Sequence, residues 1–185
     1  VDLPEDKSTK AITELSLILK DYFPHLQSIN RIEAYDISNL GSKHFVGSMV
    51  VWQQGSIDHD QYRQFKIYSK TTPDDQFMIK EVIHRRFKHL EWQLPNLILV
   101  DGGKPQVSAT HQLLDKLDKL YNFRLPVLGL AKKQETIVIK TTTGWVEINL
   151  PKNSLALRLL QQLRDEAHRF ANRYRRQLIK RSTFG

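Results

Sequence analysis

At 185 residues, with 40% hydrophobic and 26% charged positions, the chain has the makeup of one folded, soluble domain rather than a disordered or low-complexity protein. A formal net charge of +8 points to a polyanionic partner, nucleic acid ahead of an anionic membrane surface. The lack of cysteine excludes disulfides and thiolate metal sites and suits a reducing, cytoplasmic setting, and neither a signal peptide nor a membrane-spanning run is visible.

Residues 1–7 are polar, and Ser8 is placed to cap a helix running to about Phe23, with Ile12, Leu15 and Leu19 on one face before Phe23-Pro24 breaks it. Arg31–Ser38 (RIEAYDIS) reads as a strand whose alternation sets Ile32, Ala34 and Asp36 on one face. After a turn at Asn39–Lys43, Phe45–Gln53 is a second, strongly apolar strand. Gln54-Gly55 turns it back toward a third, Gln61–Tyr68. These three form an antiparallel meander. Thr72-Pro73-Asp74-Asp75 is a helix start with a Thr cap, Pro at the first helical position and acids in the first turn; Ile79, Ile83, Phe87 and Leu90 make its stripe. Leu97–Val100 is a short buried strand ending on Asp101. The helix after Pro105 carries Val107, Thr110, Leu114, Leu117 and Tyr121 inward, and Pro126–Ala131 is another buried strand. Thr136–Lys140 and Trp145–Ile148 make a small hairpin. A long helix, about Ser154 to Lys180, closes the chain with Leu159, Leu163, Ala167, Phe170 and Tyr174 toward the core.

This order predicts an α/β, ribonuclease H-like fold: a mixed five-stranded sheet, antiparallel meander plus parallel strands, flanked by helices, with a small extra hairpin. Residues 1–30 read as a helical lead-in, 31–181 as the domain and 182–185 as the start of a linker.

The centre of the sequence is Asn96–Gln106, NLILVDGGKPQ. Functional groups of α/β folds gather at the carboxyl ends of buried strands, and Asp101 stands at such an end. It shares a face with Leu97 and Leu99, where an unpaired charge is costly. Right-handed crossovers lay its strand beside that of Asp36, and two neighbouring carboxylates repel unless protonated or bridged by metal. Each acid alone is read as a turn or cap residue. The pair together favours a site for Mg²⁺ or Mn²⁺, hard cations suited to phosphodiester hydrolysis. His168 flanks the apolar stripe of the last helix between Arg164 and Arg169, where it could ligate the metal or transfer a proton, whereas His44, His59, His84, His89 and His111 read as surface or capping residues. Gly102-Gly103 allow a tight turn, since P-loop spacing is absent, and Lys104 could meet a phosphate. Arg164, Arg169, Arg173, Arg175, Arg176, Lys180 and Arg181 are either a solvated face or a DNA-backbone surface. Trp52, Trp92 and Trp145 read as core or partly buried.

RIEAYDIS, VGSMVVW, YRQFKI, PDD, LILVDGGKPQ, LGLAK and LALRLLQQLRDEAHRFA, in that order from Arg31 to about Arg181, resemble the C-terminal endonuclease domain of the UvrC family of bacterial nucleotide excision repair. The resemblance implies a ribonuclease H-like nuclease that cuts damaged double-stranded DNA on the 5′ side of a lesion. It implies an Asp-Asp-His constellation on Asp36, Asp101 and His168, with UvrB as direct partner and UvrA as an indirect one. Pro105 stands where the family usually has Gly, a change that suits a first helical position. The helix-hairpin-helix module, the nuclease module for the 3′ cut and the UvrB-docking segment of that family have no counterpart here, so the chain reads as an excised domain. Endonuclease V is a more distant likeness. The rival expectation is a non-catalytic DNA-binding or scaffold domain on the same fold.

Overall fold

The computed structural model describes residues 5–41, 44–68, 74–121 and 124–184. Helix α1 (Glu5–Leu19) leads into strand β1 (Arg31–Asn39), which pairs antiparallel with β2 (His44–Gln53) from Arg31↔Gln53 to Asn39↔Phe45. Gln54 and Gly55, both at positive φ (48° and 96°), make the two-residue turn into the short β3 (Ser56–Ile57). A 3₁₀ turn, His59–Gln61, then brings β4 (Arg63–Tyr68) onto the same edge of β2. Helix α2 (Asp75–Phe87) crosses to β5 (Leu97–Asp101), which lies parallel to β1; α3 (Lys104–Tyr121) crosses to β6 (Val127–Ala131), parallel to β5. The strands β7 (Thr136–Thr141) and β8 (Gly144–Ile148) and the helix α4 (Leu155–Phe184) complete the chain.

The sheet order is β3-β2-β1-β5-β6-β7-β8, with β4 also on β2. The meander and the parallel strands stand as the pattern predicted. The hairpin is no separate appendage, because β7 pairs antiparallel with β6 and extends the sheet. Side-chain alternation divides the core in two. Ile32, Ala34, Leu97, Leu99, Leu128 and Leu130 pack under α1 and α4. Tyr35, Ile98, Val100 and Val127 pack with Ile79, Val82, Ile83, Val107 and Leu114 of α2 and α3. Ala11, Leu15 and Leu19 are fully buried, so α1 shares the core of the strands.

Several boundaries differ from the sequence pattern. Ser8 lies inside α1 and is buried, so it does not start the helix, which has begun by Glu5 and ends at Leu19. The cap of α2 is Asp74, whose carboxylate accepts from the backbone N–H groups of Gln76 and Phe77, while Thr72 and Pro73 lie outside the described residues. Asp both caps and places a negative charge at the positive end of the helix, which favours it over Thr. Leu90 falls past the end of α2 and is exposed, as are Tyr121 at the last turn of α3 and Trp145 on the edge hairpin. Ser154 does cap α4, its hydroxyl accepting from Leu157 N–H, and the helix runs on to Phe184.

Candidate active site

The parallel register of β1 and β5 runs from Ile32↔Leu97 to Tyr35↔Val100, so the next residues on each strand are Asp36 and Asp101. Both continue the strand face that packs under α4. Asp36 is nearly enclosed, at 5% exposure, and the Asp101 side chain is 12% exposed. Ser38 donates its hydroxyl to Asp36 Oδ2 at 3.1 Å. Burial, followed by the negative charge of Asp101, pushes the Asp36 carboxyl up to about 6, against the smaller opposing pull of Ser38 and His168. Asp101 Oδ1 is buried with no hydrogen-bond partner. A buried acceptor without a donor costs about 1–3 kcal/mol, more when charged.

Helix α4 crosses these strand ends on small residues. Ala167 and Ala171 are fully buried, and their lack of bulk lets the helix lie close to the sheet. His168, next along, sets Nδ1 3.3 Å from Asp36 Oδ2 while half of its ring stays exposed. The sheet pair and the helical histidine therefore meet as the sequence predicted.

The turn after Asp101 depends on glycine. Gly102 has φ +142°, a region that side chains rarely adopt, and a Cβ there would strike the Gln106 side chain at 2.6 Å. Gln106 Oε1 accepts from Gly103 N–H at 3.1 Å and braces the turn. Gly129 on β6 lets the neighbouring strand pass close, since a Cβ there would sit 2.6 Å from Gly102 O.

Asp36, Asp101 and His168 line a cleft of about 450 Å³, together with Asp75 and Lys132. Sequence reasoning passed over the last two. Asp75 read only as a first-turn acid of α2, yet that helix start faces the cleft. Lys132 follows directly on β6, and its Nζ is 3.8 Å from Asp101 Oδ2. The rule that selected Asp101, a strand end next to a parallel neighbour, applies equally to Lys132.

Among the described residues, no group of three His, Asp or Glu side chains is assembled to hold a metal ion. The carboxylate pair nonetheless suits a hard cation: oxygen donors, two adjacent acids that resist joint ionisation, and an orphaned Asp101 oxygen.

The basic residues divide. Lys104 lies 3.5 Å from Glu147 of β8 and is absent from the cleft lining. Arg164, 11% exposed, is paired with Glu135 and with Asp165. Arg169 bonds Glu166 through Nε at 2.7 Å. Among the described residues, Arg173, Arg175, Arg176 and Lys180 form no ion pair and are exposed. Arg173, Arg176 and Lys180 share with His168 a second groove, of about 670 Å³, which opens along α4.

Beneath the opposite face of β1 lies a charged cluster that the pattern did not reveal. Glu33, fully buried, accepts from Arg86 Nε and Nη2 at 2.8 Å each, from Arg31 Nε at 2.9 Å and from the Tyr35 hydroxyl at 2.6 Å. Burial and then the Glu33 charge hold the Tyr35 phenol well above its ordinary range.

In fold, the chain is similar to human ENDOV, with a TM-score of 0.53 at 12% identity over 82% of this chain and 86% of that one. It is also similar to a Ciona intestinalis Endonuclease V solved with inosine-containing DNA, at TM-score 0.51 and 12% identity over 92% and 99% of the two chains. In sequence, UvrABC system protein C of Borreliella burgdorferi is 43% identical over 185 residues, covering 97% of this chain. The same-named protein of Caldicellulosiruptor saccharolyticus is 38% identical over 173 residues, covering 92%. The chain spans 29% and 28% of the lengths of these two relatives. Residues 21–172 match the profile of the UvrC RNAse H endonuclease domain, a span that contains both strand-end carboxylates and the histidine above them, and the chain therefore belongs to that family.

Proposed function

We propose that the chain is a divalent-metal-dependent DNA endonuclease domain of nucleotide excision repair, hydrolysing a phosphodiester on the 5′ side of a lesion. The observation that carries this reading is the pairing of Asp36 with Asp101, nearly enclosed, one carboxyl pushed up to about 6 and the other with an orphaned oxygen. Asp36 and Asp101 would hold Mg²⁺ or Mn²⁺, which when bound neutralises charge at the scissile phosphate and favours ionisation of water. His168 touches Asp36 through Nδ1 and keeps the rest of its ring toward the cleft mouth, a position suited to passing a proton between the reacting oxygens and solvent. Lys132 places an ammonium at the rim, where it would attract the phosphate and orient Asp101.

Arg173, Arg176 and Lys180 would guide the DNA backbone along α4 toward His168, with Arg175 beside them. Lys104, Arg164 and Arg169 hold intramolecular partners and would have to exchange them for phosphates. Damaged double-stranded DNA in the cytoplasm is the substrate on this reading. UvrB is the direct partner and UvrA the indirect one, through parts of the longer relatives that this chain does not span. Among the described residues, no helix is long and apolar enough to cross a membrane.

Nicking of supercoiled plasmid carrying lesions tests the proposal. Cleavage should require Mg²⁺ or Mn²⁺, cease in chelator, and be lost in folded Asp36→Asn and Asp101→Asn proteins. Parent-like nicking by either variant would show that the carboxylates are structural, and no nicking by the parent under any metal would favour a binding-only domain.

A further inference from the structure

The row of the sheet that carries the active-site acids has a third polar member. Ser48 of β2 stands directly opposite Asp36 in the antiparallel register, and on its other flank it faces Gln64 of β4. Residues opposite each other in such a ladder send their side chains to one face, with Cβ atoms about 4.5–5.5 Å apart. That face is the one α4 covers, since the next pairs along it, Ala34↔Val50 and Ile32↔Trp52, pack in the core beneath that helix. Ser48, Asp36 and Asp101 therefore lie side by side on β2, β1 and β5.

Ser48 is fully buried, and its Oγ has no hydrogen-bond partner. A buried hydroxyl that bonds nothing opposes folding, whereas an alanine of nearly the same size does not. If the position served only to let α4 lie close, as Ala167 and Ala171 do, alanine would serve better. The hydroxyl is what packing leaves unexplained. The neighbour able to use it is Asp36, whose contacts with Ser38 and His168 both fall on Oδ2, at 3.1 and 3.3 Å. The two oxygens of a carboxylate accept about four bonds, which leaves room for a cation and a further donor. A carboxylate also accepts a hydroxyl more strongly than the Gln64 amide on the other flank does. Reaching it takes a turn of the serine about χ1 between staggered wells, with no movement of the backbone.

We propose that Ser48 is a positioning residue of the metal site, donating its hydroxyl to the Asp36 carboxylate that holds a divalent cation. The inference rests on the metal reading of the Asp36–Asp101 pair. Donors behind a ligating carboxylate fix its orientation, and losing one costs about 10–100-fold in metal affinity. Ser48 is absent from the cleft lining, so it reaches the cation only through Asp36.

Mn²⁺ binding without DNA, followed by the electron paramagnetic resonance signal of the free ion, tests this on the parent chain, Ser48→Ala and Ser48→Thr. Thermal unfolding in EDTA controls for the fold. Ser48→Ala should bind Mn²⁺ about tenfold more weakly than the parent, while its Tm in EDTA stays level or rises. Ser48→Thr keeps the hydroxyl on a strand-compatible side chain and should bind within about threefold of the parent. Equal Mn²⁺ affinity in Ser48→Ala and the parent would reduce the serine to packing and overturn the proposal. A Ser48→Ala Tm in EDTA lower by more than about 4 °C would do the same, because the hydroxyl would then serve the fold. So would a folded Ser48→Thr chain that binds as weakly as Ser48→Ala; if the extra methyl unfolds it, the Ser48→Ala result decides alone. A parent chain that takes up no Mn²⁺ would end the metal reading itself, and this inference with it.

Discussion

Replacing Asp36 by Asn in metal-free protein separates the cost of the buried carboxylate from its role in chemistry. Its carboxyl stands at about 6 against an ordinary 3.8, chiefly through burial and then through the Asp101 charge. A rise of that size corresponds to about 3 kcal/mol of preference for the protonated form in the folded state. The sign follows from linkage. The folded protein holds this proton more tightly than the unfolded chain, so the charge destabilises the fold at high pH. The penalty is complete above pH 6, shrinks between pH 6 and 3.8, and vanishes below. In chelator at pH 7.5 the Asn variant should therefore be more stable than the parent by up to about 3 kcal/mol. At about 2–4 °C per kcal/mol for a chain of this size, that is a gain of about 6–12 °C in Tm. The gap should close as pH falls from 6 to 4. Adding Mn²⁺ at pH 7.5 should raise the parent Tm and leave the variant nearly unmoved, because only the parent keeps both acids. Thermal unfolding by circular dichroism in EDTA across pH 4–8 provides the readings. An Asn variant no more stable than the parent at pH 7.5 would refute the argument that the buried Asp36 charge, beside Asp101, is unfavourable without metal.

His168→Ala should lower the nicking rate by about 10²–10⁴-fold with DNA affinity changed less than threefold, measured by single-turnover cleavage and filter binding. Added Mn²⁺ should not rescue it, and rescue would make the histidine a ligand. Affinity for undamaged duplex should fall steeply with salt; Arg173→Ala, Arg176→Ala and Lys180→Ala should each reduce the log–log slope by about 0.9, and an unchanged slope would mean those residues face only solvent. Glu33→Gln leaves Arg31 and Arg86 buried without their carboxylate and should cost about 3–5 kcal/mol in urea denaturation, with a loss under 1 kcal/mol contradicting the picture of a closed charge cluster.

That Asp36 and Asp101 are neighbours was legible from local rules, whereas spacing alone left His168 an open case that only the family resemblance brought forward. Alternation put Asp36 and Asp101 on strand faces, crossover handedness made the strands neighbours, and helical spacing set His168 beside the core. The basic residues were less legible. Spacing groups Arg164 with His168, but the partner that occupies it, Glu135, lies in the turn before β7, 29 residues away. Arg169 is held by Glu166 on its own helix, a local pairing the spacing did permit. The Glu33 cluster was hidden for a different reason. A charged residue alternating with apolar ones reads as the solvent side of a strand, whereas here Glu33 is buried, paired with Arg31 and Arg86 and hydrogen-bonded by Tyr35. Boundaries such as the start of α2 turned on which of Thr72 or Asp74 takes the cap, a contest that composition alone does not decide.

His168 and Asp36 are 132 positions apart in sequence, and Asp36 meets Asp101 across another 65. Contacts of such separation form only after long loops have closed, so they belong to the slow, late part of folding for a mixed sheet of this order. A chain whose last helix is off the sheet holds its two carboxylates without the histidine that meets Asp36. The cleft that joins the two carboxylates to the histidine is therefore complete only once the last helix lies on the sheet.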